Sequence, residues 1–243
     1  MSRKISVEET KIIYDALMSE EDHYKVKSGW HGWEGNFHRY RCFLLGNVFR
    51  EAGANAHTLI LDIGSGPSLL GEIFKPEGCP QITALDISKF NIERGSKLYP
   101  HIHFQLDDAQ DPNIKGQWDI LFAGEIIEHL EIPRLALEKW TALLREGGHL
   151  ILTTPNALAL RPTAEHISLL KTWQVRKILE ELGYEEVKVI GIDLFVPFLI
   201  KLSRVFKGTP GFWDAIFQTT MRISYRYPNL ARDVVYVYRK KDS

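Results

Sequence analysis

The stretch from Thr58 to Pro67, which reads TLILDIGSGP, constrains the fold of this 243-residue chain more than any other. A short apolar run carries one acid, Asp62, near its end, and Gly64 and Gly66 then break the run. Apolar residues resume after Pro67 at helical spacing. This order predicts a strand, a glycine turn and a helix whose first N–H groups point toward the turn.

The turn lacks the features of two common phosphate-binding loops. A dinucleotide-binding loop has the pattern G-x-G-x-x-G, but Leu69 occupies the third glycine position here. A P-loop carries a lysine after its last glycine, where this chain has Glu72. An acid before the turn, and no basic residue within it, favour a ligand that carries positive charge or hydroxyl groups.

Apolar segments alternate with segments of helical periodicity along most of the chain. Seven segments have the composition of strands: Thr58–Ile63, Ile82–Ile87, His101–Leu106, Trp118–Ala123, His149–Thr154, Tyr184–Ile192 and Val234–Tyr238. This alternation predicts an α/β fold with a doubly wound, mostly parallel seven-stranded sheet. Ligands of such sheets bind beyond the carboxyl ends of the strands.

The overall composition is that of an ordinary globular protein rather than a nucleic-acid or membrane protein. The net charge is −1 and charged residues make up 25% of the chain, so nucleic acid is not favoured as a partner. No apolar run is long enough for a transmembrane segment. Cys42 and Cys79 form neither a disulfide framework nor a paired zinc motif, so we expect a reducing, cytoplasmic location and no zinc.

Acids follow two further strands at positions where a nucleoside could bind. Asp86 ends the second strand, 24 positions after Asp62 (86 − 62 = 24). In nucleotide-binding sheets an acid about 20 residues beyond the glycine turn accepts hydrogen bonds from the ribose hydroxyls. Asp107, Asp108 and Ala109 follow the third strand, and one of these two acids could instead serve only the turn.

Two strings resemble motifs of the class I S-adenosylmethionine-dependent methyltransferases. DIGSGP, from Asp62, is similar to their first motif, and EIIEHL, from Glu125, is similar to the E-x-I-E-H-L motif of one subgroup. That subgroup includes ubiquinone-pathway O-methyltransferases and natural-product and sugar enzymes. The resemblance implies S-adenosylmethionine as cofactor. It implies a cofactor site made of Asp62, Gly64, Ser65, Gly66, Asp86, Ile87, Asp108, Ala109 and Glu125.

The resemblance also implies how one domain spanning residues 1–243 is organised. Residues 1–55 would form an N-terminal helical lid, and residues 56–192 the cofactor-binding core. A helical insertion over 193–231 precedes the last strand and tail at 232–243. The insertion is rich in apolar side chains, so it could cover the pocket or form the face of a homodimer.

Methyl transfer needs an acceptor atom in line with the methyl group and a base for its proton. His129 is the expected base, Glu128 would orient it, and His166 would assist. The expected substrate is a small molecule, and a hydroxyl oxygen is the expected acceptor, as in the resembling subgroup. The predicted substrate-pocket residues are Tyr24, Trp30, His31 and Asn156.

Two alternative functions remain open on the sequence. Glu125, Glu128, His129 and His166 match the divalent-metal ligands of small-RNA 2′-O-methyltransferases, although a metal-free site is the primary expectation. The neutral charge of the chain argues against RNA as the substrate. The second alternative is a non-catalytic methyltransferase-like subunit, against which the intact acids and glycines argue.

Overall fold

The computed structural model describes residues 33–158, 166–194 and 210–242. The helices in these ranges are α1 (Trp33–Glu51), α2 (Leu70–Ile73), α3 (Lys89–Leu98), α4 (Pro133–Leu143), α5 (Thr172–Glu181) and α6 (Pro210–Arg226). The strands are β1 (Leu59–Ile63), β2 (Gln81–Asp86), β3 (His103–Leu106), β4 (Trp118–Gly124), β5 (Leu144–Pro155), β6 (Tyr184–Leu194) and β7 (Ala231–Lys240). Two short 3₁₀ helices cover Ile127–His129 and Pro228–Leu230.

The seven strands form one mixed sheet in the order β3-β2-β1-β4-β5-β7-β6. Strands β1 to β5 pair in parallel, and β7 lies antiparallel between β5 and β6. The prediction of a doubly wound, mostly parallel seven-stranded sheet is confirmed. The chain leaves β1 toward β2 and β3 and then returns to β4 on the other side of β1. Because strand order reverses there, the ligand-binding crevice of such a sheet is expected at the carboxyl ends of β1 and β4.

Each central strand is buried on both faces, which explains the uninterrupted apolar runs. Side chains of a strand alternate between faces. Leu61 of β1 packs in the cluster that includes Trp140 of α4, whereas its neighbour Ile60 packs in the cluster that includes Phe49 of α1. The described helices therefore cover both faces of the sheet, and the predicted site residues lie at its carboxyl edge.

Strand β5 begins earlier than the sequence predicts. The sequence favours a separate turn over residues 145–148, but Leu144 already pairs with Trp118 of β4. From that pair to the next, between Ile120 and His149, β4 advances two residues and β5 five (120 − 118 = 2; 149 − 144 = 5). The extra residues include Gly147 in the left-handed region at φ 69°, so the turn is a bulge within the strand.

Helix α6 lies within the predicted insertion and packs on its own sheet. Met221 and Ser224 of α6 are buried, and a Cβ on Gly191 of β6 would lie 2.3 Å from the carbonyl oxygen of Ser224. The glycine is therefore what allows the helix backbone to approach β6. Among the helices that the structure describes, none is both long enough and apolar enough to cross a membrane.

Candidate functional site

The glycine turn after β1 requires backbone conformations that most residues avoid. Gly64 and Gly66 have φ values of 67° and 54°, and Ser68 lies at 69°. A Cβ on Gly64 would lie 2.4 Å from Cγ1 of Ile126, closer than carbon atoms can approach. The N–H of Ser65 donates to the carbonyl of Leu85 at 2.8 Å, which ties the turn to β2. The turn is thus wedged between β2 and the segment that follows β4.

Asp86, the predicted ribose ligand, also holds the turn in place. Its Oδ2 accepts a hydrogen bond from the N–H of Gly66 at 2.7 Å. Its Oδ1 accepts from the N–H of Ser88 at 2.8 Å and from Nδ2 of Asn91 at 3.2 Å. A bound ribose would share these oxygens with the protein. The role of Asp86 toward a ribose stays a prediction, and its contacts give it a structural role as well.

Asp62 is the acid in the turn region whose hydrogen bonding is incomplete. It is buried, and its Oδ2 accepts from the hydroxyl of Ser68 at 2.9 Å. Its Oδ1 is buried without a hydrogen-bond partner in the part of the chain that the structure describes. Burial, with a further contribution from the Asp86 charge, raises the pKa of Asp62 to about 7. A cationic donor beside Oδ1 would complete the site, which is what the ammonium group of S-adenosylmethionine offers.

The two acids after β3 have different contacts. Asp107 accepts hydrogen bonds from the backbone N–H groups of Asp108, Asn113 and Ile114 at 2.9, 2.9 and 3.1 Å. The carboxylate of Asp108 accepts a hydrogen bond from the N–H of Gln110 at 2.8 Å, and its backbone carbonyl accepts one from the N–H of Asp111 at 3.2 Å. Asp107 therefore organises the turn. The carboxylate of Asp108 has fewer donors within the protein, and its contact with an adenine stays a prediction.

Two further predicted cofactor residues lie beside these acids. Ile87 is half-buried directly after β2. Ala109 is buried, and its carbonyl accepts a hydrogen bond from Nε1 of Trp140 at 2.8 Å. The indole of α4 thus fixes the backbone after β3. The predicted cofactor residues of β1, β2 and β3 are therefore brought to one edge of the sheet.

Glu125 follows β4 on the other side of the crevice. It has a φ of 56°, a strained conformation for a residue with a side chain. Its N–H donates to the carbonyl of Thr153 at 2.9 Å, and its Oε1 accepts from the hydroxyl of the same threonine at 2.7 Å. These two bonds from β5 hold Glu125 against the backbone preference. Such a conformation at a strand end is typical of a ligand-binding position.

Glu128, His129 and His166 come together as the sequence predicts. Their ligating atoms all lie within 4.8 Å of one another, and the two imidazole centroids are 5.0 Å apart. Glu128 is buried; its Oε2 accepts from the hydroxyl of Thr154 at 3.0 Å, and its Oε1 lies 3.9 Å from Nε2 of His129. Burial and the nearby Glu125 charge raise the pKa of Glu128 well above its usual range. Glu125 is not within the same distance limit of this group.

A buried charge cluster beside this group was not predicted. Arg232, at the start of β7, donates through Nε to Oδ2 of Asp233 at 3.2 Å and lies 3.6 Å from Oδ2 of Asp193. Its guanidinium lies 4.4 Å from the ring centroid of Phe37 in α1. Burial and the Glu125 charge raise the pKa of Asp233 to about 6. The adjacent Arg232–Asp233 pair just before the apolar run of β7 was the available sequence signal.

The predicted pocket residues have separate outcomes. Asn156 is buried, and its Nδ2 donates to the carbonyls of Asn229 and Ala231 at 3.0 and 3.2 Å. Its side chain therefore joins the end of β5 to the start of β7, and its contact with a substrate stays a prediction. Tyr24, Trp30 and His31 lie outside the described residues.

Comparisons with known proteins agree with this arrangement. The family model described as a methyltransferase domain matches residues 37–189, more than half of the chain. The ubiquinone biosynthesis O-methyltransferase of Vibrio parahaemolyticus is 25% identical over 196 residues, which cover 69% of this chain and 82% of that protein.

Solved structures of similar fold carry more than one function in their names. The 4+2 cyclase SpnF matches with a TM-score of 0.68 at 16% identity and covers 100% of this chain and 99% of its own. The N-methyltransferase NodS of Bradyrhizobium japonicum matches with a TM-score of 0.59 at 17% identity, covering 85% and 98%. At these identities the likeness supports the fold alone. Taken with the family match and the glycine turn, the chain belongs to the methyltransferase-domain family and is an S-adenosylmethionine-dependent methyltransferase of the class I fold.

Proposed function

We propose that the protein transfers the methyl group of S-adenosylmethionine to a hydroxyl oxygen of a small molecule. The observation that carries the proposal is the close group of Glu128, His129 and His166 across the crevice from the glycine turn. An imidazole beside a buried carboxyl group is a suitable acceptor for the proton of a hydroxyl. The name of the Vibrio parahaemolyticus relative, an O-methyltransferase of ubiquinone biosynthesis, supports oxygen as the acceptor atom.

The cofactor would lie across the carboxyl ends of β1, β2 and β3. Asp62 would meet the ammonium group of the methionine part, because its buried Oδ1 requires a donor. The backbone of Gly64 and Gly66 would lie against the cofactor, and Asp86 and Asp108 would meet its ribose and adenine. Bound in this way, S-adenosylmethionine supplies an electrophilic methyl group.

His129 would accept the acceptor's proton, and Glu128 would act as a positioning residue for the imidazole. The Thr154 hydroxyl fixes Oε2 of Glu128, so its Oε1 remains directed toward His129. Glu125 would help to form the wall between cofactor and acceptor. Most of the rate enhancement would come from holding the acceptor oxygen in line with the methyl group and excluding water. Proton transfer would contribute about 10²–10⁴-fold.

The test is transfer of labelled methyl from S-adenosylmethionine to small molecules that differ only in the acceptor group. Matched phenols, alcohols, amines and thiols would be compared with the purified protein. We expect the hydroxyl compounds to be methylated and His129→Ala to lower kcat about 10²-fold or more without changing cofactor affinity. His149→Ala, in β5, is the matched histidine control. Transfer to amines or thiols alone would overturn the choice of oxygen.

Metal-assisted transfer is a second candidate, favoured by the spacing of the ligating atoms of Glu128, His129 and His166. One carboxylate and two imidazoles suit Mn²⁺, Fe²⁺ or Zn²⁺. Calorimetry with S-adenosylhomocysteine, in EDTA and then with added Mn²⁺, separates the candidates. A separate metal titration that is lost in a Glu128→Gln/His166→Ala double variant would support the metal. Cofactor binding and turnover that are unchanged by EDTA would exclude it.

The homodimer through residues 193–231 is also a proposal. Its support among the described residues is a set of partly exposed apolar side chains near the end of α6, namely Ile223, Tyr225 and Tyr227. Light scattering of the protein and of an Ile223→Glu/Tyr227→Glu variant is the test. A monomeric wild-type protein would reject the dimer.

A further inference from the structure

A second group of metal-ligating side chains joins α1 to the helical turn that follows the glycine turn. Ligating atoms of His38, Cys42 and Glu72 all lie within 4.8 Å of one another. His38 and Cys42 are four residues apart in α1, so they project from the same face of the helix. Glu72 belongs to α2, the single helical turn that follows the glycine turn. The sequence separates Glu72 from His38 by 34 residues, and the fold brings them together.

The distances in this group are close to those of a tetrahedral zinc site. Nε2 of His38 lies 3.7 Å from Sγ of Cys42. With Zn–N bonds of about 2.0–2.1 Å and a Zn–S bond of about 2.3 Å, tetrahedral geometry separates the two donors by about 3.6 Å. Oε2 of Glu72 lies 2.8 Å from the same Nε2, so a movement of about 0.6 Å would open the position that a zinc ion requires.

The surroundings of the three side chains also suit a bound cation. The side chains of His38 and Glu72 are only 9% and 15% exposed. Oε1 of Glu72 is buried and lacks a hydrogen-bond partner among the residues that the structure describes. Zinc bound to a thiolate, a carboxylate and a neutral imidazole has no net charge, so burial would be tolerated. Without metal, burial and the Glu72 charge raise the pKa of the Cys42 thiol to about 11, which keeps it protonated.

We propose that His38, Cys42 and Glu72 bind one zinc ion, with water as the fourth ligand, and that the ion fastens α1 to the helical turn after the glycine loop. This proposal departs from the expectation that the chain has no zinc site. It does not depend on the acceptor chemistry, because none of the three ligands belongs to the group of Glu128, His129 and His166. Binding would release the thiol proton of Cys42. Because zinc would bind to the folded chain, it would stabilise the protein against unfolding.

Cobalt is the probe for this site, because a thiolate ligand gives Co²⁺ a near-ultraviolet charge-transfer band. Reduced protein, stripped with EDTA, would be titrated with Co²⁺ and then with Zn²⁺ as competitor. We expect one equivalent of the band and tetrahedral visible bands, both displaced by Zn²⁺. Cys42→Ser should abolish the near-ultraviolet band, while Cys79→Ser, which changes the other half-buried free cysteine, should keep it.

Three further measurements distinguish zinc binding by this group from metal binding elsewhere on the chain. Glu72→Gln should weaken cobalt binding at least tenfold, since loss of even an outer partner costs about 10–100-fold. His166→Ala should leave the thiolate band intact, because His166 belongs to the group beside Glu128. Zinc should raise the melting temperature of the wild-type protein but not of Cys42→Ser, with circular dichroism confirming that the variant folds. Absence of the band in the wild type, or its persistence in Cys42→Ser, would overturn the proposal.

Discussion

The two sides of the crevice hold their acids by different means. In the cofactor half (β1, β2, β3 and their loops), Asp86 and Asp107 accept mainly from backbone N–H groups of nearby turns. In the acceptor half (β4 to β7 and their loops), Glu125 and Glu128 accept from threonine hydroxyls of β5. A backbone N–H is present whatever residue stands in the turn, whereas a side-chain hydroxyl is lost when the threonine is substituted. The cofactor half is therefore fixed by local chain geometry, and the acceptor half by which side chains the sheet brings together.

Both halves of the crevice contain buried carboxyl groups whose pKa values are raised. In the acceptor half, burial and mutual repulsion with Glu125 raise the pKa values of both Glu128 and Asp233. In the cofactor half, Asp62 has a raised pKa because it is buried without a full set of donors. Asp62 therefore requires a ligand to complete it. Across the crevice Asp233 is paired with Arg232, whereas Oε1 of Glu128 is, like Oδ1 of Asp62, buried without a hydrogen-bond partner among the described residues.

The largest expected effect comes from Gly64→Ala in the cofactor half. The left-handed φ and the 2.4 Å approach to Ile126 should together lower the free energy of unfolding by about 2–5 kcal/mol. Gly53→Ala is the matched control, since Gly53 has a φ of 86° and nothing within 4 Å of a Cβ. It should lose only about 1–2 kcal/mol. Urea unfolding of both variants measures the difference, and equal losses would refute the steric argument.

The next effect compares the two acids after β3. Asp107→Ala leaves three backbone N–H groups without their acceptor and should cost about 3 kcal/mol of folding stability. Asp108→Ala removes the acceptor of one N–H and should cost about 1 kcal/mol. Cofactor affinity should follow the opposite order, with Asp108→Ala the weaker binder. Calorimetry with S-adenosylhomocysteine beside urea unfolding checks both orders, and a larger stability loss in Asp108→Ala would reverse the assignment.

This comparison also explains what could be predicted from the sequence. DIGSGP and the acids that end β2 and β3 lie within the segments that they organise, so the cofactor half was predictable from local order. EIIEHL predicted the positions of Glu128 and His129, and the structure brings His166 to them. The contact of Arg232 with Asp193 was not predicted, because it depends on the antiparallel placement of β7 beside β6. In the sequence, Glu72 is evidence only against a P-loop. Its proximity to His38 and Cys42 could not be predicted, because these residues lie 30 or more positions earlier in the chain.

A smaller effect tests the incomplete acid of the cofactor half. The folded-state pKa of Asp62 is about 7, above an unfolded value of about 3.9. Between these values the folded state holds a proton that the unfolded state has lost, so stability should fall as pH rises and then level off above pH 7. The slope from this group is at most about 1.4 kcal/mol per pH unit.

Asp62→Asn should remove that slope and make the cofactor-free protein about 1–3 kcal/mol more stable at pH 8. It should also weaken S-adenosylhomocysteine binding, because an amide cannot offer a charge to the ammonium group. Urea unfolding from pH 5 to 8, with and without S-adenosylhomocysteine, measures both. An unchanged slope in the variant would show that another group titrates.

The smallest expected effect on stability belongs to Glu128→Gln in the acceptor half. Because burial and the Glu125 charge raise the pKa of the Glu128 carboxyl group well above its usual range and so favour its neutral form, glutamine is its near equivalent and should change the free energy of unfolding by less than about 1 kcal/mol. Its carbonyl can still accept from Thr154, whereas Glu128→Ala leaves that hydroxyl unpaired and should cost more. If Glu128 positions His129, glutamine should lower kcat and alter its pH profile while leaving the KM for S-adenosylmethionine unchanged. Full activity in Glu128→Gln together with a large stability loss would make Glu128 a purely structural residue. The acceptor half would then resemble the cofactor half, where Asp86 and Asp107 hold the local chain in place.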